Sequence, residues 1–355
     1  MKKTKKLVAL LLTTLLTTAS FVGCSSNSSG VGENGTIRVF NVGDYINTDL
    51  ISKFESETKI KVIYDTYDTN ETMYQKLVTN PGQYDLVFPS DYMVEKMIKN
   101  NMLEEIDYSN IPNISHIDEK FRGLNYDPEN KYTVPYMWGT VGIIYDTDVV
   151  TEPVTSWDIL WDEQYHNNVL MFDSIRDTFA VALKRLGYSL NSTNPNEIKA
   201  AQEELIKQKS TVKPAYVGDD VKDKMINGEA SIATVWSGDA MYIMSESYLN
   251  LKYVVPEEGS NKWFDTMAIP KGAPNKSGAE AFINFLTDPE NAVENVDYIG
   301  YSTPNKSAFE LLDEEVKNNE TAYPSDAILD NSEIFIDLGD KLKLYDEAWT
   351  IVKTK

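Results

Sequence analysis

Two pairings of an indole with a carboxylate, Trp236 with Asp239 and Trp263 with Asp265, are the residues of this chain whose types and spacing could do chemistry. The first pair ends the stretch 232–239, which reads as a short apolar strand that stops at a Gly-bearing turn and leaves indole and acid together on that turn. Aromatic faces attract ammonium groups, and carboxylates accept their N–H donors at short range. Two such pairs could therefore hold an organic cation. Taken singly, each also fits a core indole beside a capped turn, so the pairs need elements that bring them together.

Other chemistries find little support. His116 and His166 lie in polar surroundings without a second histidine at i+3 or i+4, which argues against zinc. No phosphate-cradling Gly-rich loop, dinucleotide fingerprint or nucleophile elbow occurs, and no catalytic residue is singled out. A carboxylate pair working as a surface glycoside hydrolase stays open only because 55 acidic residues offer many pairs, none selected by context. The formal charge of −22 argues against nucleic acid or an anionic membrane as partner and is compatible with a cationic ligand.

The N-terminus assigns a compartment. Lys2, Lys3, Lys5 and Lys6 precede an apolar run over 7–21, and Val22-Gly23-Cys24 ends it with small residues and the only cysteine of the chain. Residues 1–24 resemble a bacterial lipoprotein signal, which implies that Cys24 is diacylated and becomes the first residue. The Ser, Asn and Gly of 25–35 read as a flexible tether. With one cysteine, no disulfide can form within the chain, so an extracytoplasmic body must be held by packing.

From residue 36 the pattern alternates. Strands are expected at 36–40, 61–64 and 85–89, with helices between them at 49–58 and from a cap at Asn70, and a further helix after Ser90 or Asp91. Strand, helix, strand with short connections predicts a parallel sheet with helices on both faces, whose ligands sit outside the carboxyl ends of the strands. The loops at 41–45, 90–92 and 236–239 leave such ends. The Pro-bounded run 134–145 is too long and Gly-rich for an ordinary strand and is expected to cross between lobes. Ser156 should cap a helix carrying Trp157, Leu160 and Trp161, and helices are expected at 177–186, 196–208, 279–286 and 288–298 and from 326 to the end. Strands are expected at 230–236, and at 253–256 and 266–270 on either side of Trp263.

Several segments in this order carry a resemblance. Phe40-Asn41-x-x-Asp44-Tyr45-Ile46, Tyr84-Asp85-Leu86-Val87-x-Pro89-Ser90-x-Tyr92, Val134-Pro135-Tyr136-x-Trp138-Gly139-Thr140, Thr155-Ser156-Trp157-x-x-Leu160-Trp161 and Gly300-Tyr301-x-Thr303-Pro304-Asn305 are similar to the substrate-binding lipoproteins of bacterial polyamine ABC importers, of the spermidine/putrescine-binding type. The resemblance runs over essentially the whole chain after the leader. It implies an α/β, two-lobed periplasmic-binding-protein type II fold, each lobe a mostly parallel sheet flanked by helices, with two crossover connections. On this sequence the lobes become 36–140 plus 264–311 and 141–263 plus 312–355.

The resemblance also implies a pocket. Asp44, Tyr45, Ser90 and Tyr92 would come from the first lobe, Asp177, Trp236 and Asp239 from the second, Trp263 and Asp265 from the return crossing, and Tyr301 from beyond it. It implies a polyamine ligand, delivery to membrane permease subunits, no cofactor and no catalysis. The protein would be a monomer held at the outer face of the membrane by its lipid alone. Three positions bear on ligand preference: Val42 stands where many relatives carry an aromatic, Ser174, with Asp173 beside it, stands where spermidine-preferring relatives can have an aspartate, and Asp239 is similar to putrescine-preferring ones. The same architecture carrying a sugar, metal chelate or peptide remains the alternative.

Overall fold

The computed structural model describes residues 35–355; the leader, Cys24 and nearly all of the tether lie outside the described residues. The first elements follow the expected alternation: β1 (Thr36–Val42), α1 (Thr48–Thr58), β2 (Lys61–Tyr67), α2 (Asn70–Thr79), β3 (Leu86–Val87) and α3 (Asp91–Lys99). Local chemistry sets their ends. Asn47 caps α1 by accepting from the Asp49 N–H, Leu50 and Phe54 bury one face at i, i+4, and Lys59 in the left-handed region stops the helix. Because each strand is followed by a helix, β1 can pair in parallel with both β2 and β3, with Val39 opposite Tyr64 on one side and Leu86 on the other.

The chain then enters β4 (Thr133–Asp146), a single strand of 14 residues, all of them buried. Its Pro135 cannot donate to a ladder, and the register shifts between Pro135 and Met137, where a bulge absorbs the missing bond. Close approach accounts for its glycines: a Cβ on Gly139 would lie 2.5 Å from Ser237 Oγ and 2.6 Å from the Trp263 ring. Beyond β4 come β5 (Val169–Phe172), α4 (Ile175–Arg185), α5 (Pro195–Thr211), β6 (Ala215–Val217), α6 (Val221–Ile226), β7 (Ile232–Trp236), α7 (Ser237–Glu246), β8 (Leu251–Val254), β9 (Lys262–Ala268), α8 (Lys276–Leu286) and α9 (Pro289–Ile299).

The strands lie in the order β2-β1-β3-β9-β4-β7-β5-β6, with β8 also on β4. The outer pairings are parallel, and β4 joins the two halves through antiparallel neighbours: β9 along its first part, β7 and β8 along its second. The fold is thus α/β, with helices packed on mainly parallel outer strands.

Four local expectations change. Trp263 sits inside one strand, β9, rather than between two, because β9 is defined by pairing with β4 and not by a local apolar run. Thr69 caps α2; the Asn70 amide reaches Ser90 Oγ at 2.9 Å instead. Trp157–Trp161 is a 3-10 helix. Residues 331–338 are not helical, because their backbone is taken by the strand neighbourhood: Glu333 N–H donates to Ser260 O and Glu333 O accepts from Lys262 N–H. The C-terminal helix is confined to Leu342–Thr354. Among the described residues no helix is long and apolar enough to cross a membrane.

Candidate functional site

The parallel strands of both halves aim their carboxyl ends at one cleft, enclosing about 950 Å³ of space that is partly open to solvent. Asp44 and Tyr45 come from the loop after β1, Ser90 and Tyr92 from the start of α3, and Asp177 from α4 after β5. Trp236 and Asp239 come from the end of β7 and the first turn of α7, Trp263 and Asp265 from β9, and Tyr301 from the segment after α9. All ten sequence-predicted residues line this cavity.

Their geometry forms an aromatic box around carboxylates. Tyr45 donates its hydroxyl to Asp265 Oδ2 at 2.6 Å, while Asp265 Oδ1 is buried and makes no close hydrogen bond, the Ser90 hydroxyl acting on the carboxylate only from longer range. The Trp263 indole N–H is likewise buried and without a partner. Tyr301 stands edge-on to Tyr45, with ring centroids 5.3 Å apart, and lies 5.4 Å from Trp263. Its hydroxyl donates to Asp239 Oδ1 at 3.0 Å, tying the segment after α9 to α7 across the cleft. Trp236 packs on Phe172 at 4.6 Å. Farther along, Tyr92 donates to Glu71 at 3.0 Å and Ser174 donates to Asp177 Oδ2 at 2.6 Å.

The match to known proteins fits this architecture. Residues 49–324 match the family of bacterial extracellular solute-binding proteins. The chain belongs to that family. It is 39% identical over 340 residues to the spermidine/putrescine-binding periplasmic protein of Escherichia coli, covering 95% of this chain and 97% of the relative. It is 33% identical over 354 residues to a putrescine-binding periplasmic protein of Pseudomonas aeruginosa, with 94% and 96% covered. Among solved structures, a putative spermidine/putrescine ABC transporter from Listeria monocytogenes superposes with a TM-score of 0.86 at 43% identity, over 90% of this chain and 98% of that one. The resemblance read from the ordered segments of the sequence holds at this level, as does the periplasmic-binding-protein fold it implied.

In this solute-binding protein the cavity is strongly acidic. Seven aspartates line it (Asp44, Asp68, Asp91, Asp177, Asp219, Asp239 and Asp265), against one lysine, Lys222, and no arginine. Burial pushes the carboxyls of Asp177, Asp239 and Asp265 up to about 6. The opposing pulls are weaker: the Ser174 hydroxyl and Arg176 on Asp177, Lys222 and the Tyr301 hydroxyl on Asp239, and the Ser90 and Tyr45 hydroxyls on Asp265. Clustered, desolvated carboxylates in a cleft mark a functional site.

Residues that sequence reasoning missed complete the walls: Tyr67, Asp68, Asp91, Asp219, Lys222, Asn261 and Phe335. Asp68 and Asp219 follow the ends of β2 and β6, so the rule that found Asp44 could have found them. Phe335 carried no signal, since it lies in the segment expected to be helical. Asp91 also holds the fold together, since it accepts from the Phe264 N–H at 3.0 Å and the Tyr92 N–H at 2.7 Å and so fastens α3 to β9. Val42 lines the cavity beside Tyr67, while Ser174 is not among the lining residues and touches the site through Asp177. Asp173 turns outward to Lys353 at 2.8 Å.

One glycine fixes the aromatic box. A Cβ on Gly238, in the first turn of α7, would collide with the Tyr301 ring. Gly238→Ala should therefore destabilise the fold by about 1–3 kcal/mol through overpacking. That outweighs the gain of at most about 1 kcal/mol from helix propensity. A denaturant midpoint at or above the wild-type value would contradict this placement of Tyr301.

Proposed function

We propose that this chain captures a polyamine, spermidine or putrescine, outside the cytoplasm and presents it to the permease of an ABC importer, without chemistry of its own. The observation that carries the reading is the buried, unpartnered Asp265 Oδ1 inside the box of Tyr45, Trp263 and Tyr301. A polar atom so placed takes its donor from outside the protein, from water or from a ligand. A protonated amine supplies one, and its methylene chain lies against the aromatic faces. A neutral sugar would leave the acidic cavity without a counter-charge. The names of the relatives point the same way.

In this reading the lobes 36–140 plus 264–311 and 141–263 plus 312–355 close on the ligand as a clamp, and closure is what the permease senses. Asp44, Tyr45, Ser90 and Tyr92 bind from one side, and Asp177, Trp236 and Asp239 from the other. Trp263 and Asp265 bind at the crossing, and Tyr301 closes the box. Cys24 carries the lipid that holds a monomer at the membrane. Thermal unfolding of the purified protein tests the reading: millimolar putrescine or spermidine should raise the midpoint by several degrees, since a ligand at about 100 times its Kd adds about 2.7 kcal/mol. An equal shift with glucose, or none with either amine, would sink it.

A further inference from the structure

The lysine in the acidic cavity is the feature that the binding reading leaves unexplained. Lys222 stands in the first turn of α6, after the loop leaving β6. Its neighbour Lys224 engages the acids around it, Asp220 at 3.8 Å and Glu229 at 3.2 Å. Lys222 makes no ion pair with any described residue, although it lines a cavity with seven aspartates. It acts on Asp239, favouring that carboxylate's charge where Asp219 and Asp44 oppose it. Toward Asp177 and Asp265 no lysine or arginine lines the wall; Arg176 is engaged with Asn191 and Ile336 and stacked on Phe335.

An ammonium on a flexible four-carbon stem does for carboxylates what a ligand ammonium does. One end of the cavity thus has an ammonium among its lining residues, while at the other end the only cation that Asp177 feels is Arg176, which lies behind the wall and is engaged elsewhere. We propose that Lys222 is a specificity-determining residue, a resident ammonium that fits the cavity to amines carrying two positive charges and penalises a third. This rests on the polyamine reading above. A third ligand ammonium at that end meets a like charge, and at an effective dielectric of about 20 and a separation of about 12 Å that repulsion is worth about tenfold in affinity.

The test compares putrescine and spermidine by calorimetric titration, at one ionic strength, in the wild type and in Lys222→Gln. Spermidine affinity should rise in the variant about tenfold more than putrescine affinity does. Lys222→Met, which keeps the apolar stem, should reproduce the shift, and Lys222→Arg should keep the wild-type ratio. Equal changes for both amines, no change, or a loss of spermidine affinity would overturn the proposal. A wild type that binds neither amine would instead overturn the polyamine reading, and this inference with it.

Discussion

Asp265→Asn should weaken putrescine and spermidine binding by about 30- to 1000-fold, or about 2–4 kcal/mol, the usual loss when one partner of a buried charge pair is neutralised. The same change should raise the unfolding midpoint of the ligand-free protein at pH 7. Both effects have one cause. The Asp265 carboxylate is held against burial by the hydroxyls of Ser90 and Tyr45, and burial wins, so its charge is destabilising until a cation arrives. Asparagine keeps the shape and an acceptor for Tyr45 but removes the charge. Calorimetric titration and thermal unfolding of the same preparation check the pair of effects. Unchanged affinity would remove Asp265 from the site, and lost affinity with a lower midpoint would mean that the variant had simply damaged the fold.

The second large effect is on pH. Asp177, Asp239 and Asp265 titrate at about 6 in the ligand-free protein, above the ordinary carboxylate value of about 4. A cation binds their ionised forms, so affinity should be level above about pH 7 and fall below pH 6, by about tenfold per pH unit for each carboxylate in contact. Ligand-free stability should move in the opposite sense. Between about pH 4 and pH 6 the folded state binds more protons than the unfolded state, so these groups add stability as the pH falls through their folded value. Binding and stability therefore cross over near pH 6. An affinity that is flat from pH 8 to pH 5 would show that the carboxylates do not meet the ligand's charge.

The parts of this arrangement legible in sequence were those encoded by local pattern. Apolar runs separated by caps identify β1, β2, β3 and their helices, and the rule that ligands collect at parallel strand ends selects Asp44, Ser90 and Trp236 with no knowledge of their partners. Asp265 stood out beside Trp263 from the residues alone, and the family resemblance added Asp177 and Tyr301. What stayed hidden was set by contacts far apart in the chain. Trp263 falls within a strand because β9 pairs with β4, more than a hundred residues earlier. Phe335 reaches the cavity because Glu333, two residues before it, bridges to residues 260–262 and is anchored to Lys184 at 3.0 Å. Lys222 carried no signal in the sequence, and only the fold brings it to the wall of the cavity that seven aspartates line.

The central claim is that the cavity recognises an organic dication by charge and by its apolar chain together. Calorimetric titration with putrescine, n-butylamine and 1,4-butanediol, which share one four-carbon chain and carry two, one and no positive charges, tests it most directly. The account predicts tight binding of putrescine, binding of the monoamine weaker by at least about 100-fold, or about 2.7 kcal/mol for the lost ammonium, and no measurable binding of the diol. Absence of putrescine binding at millimolar concentration, or comparable affinity for the diol, would contradict it.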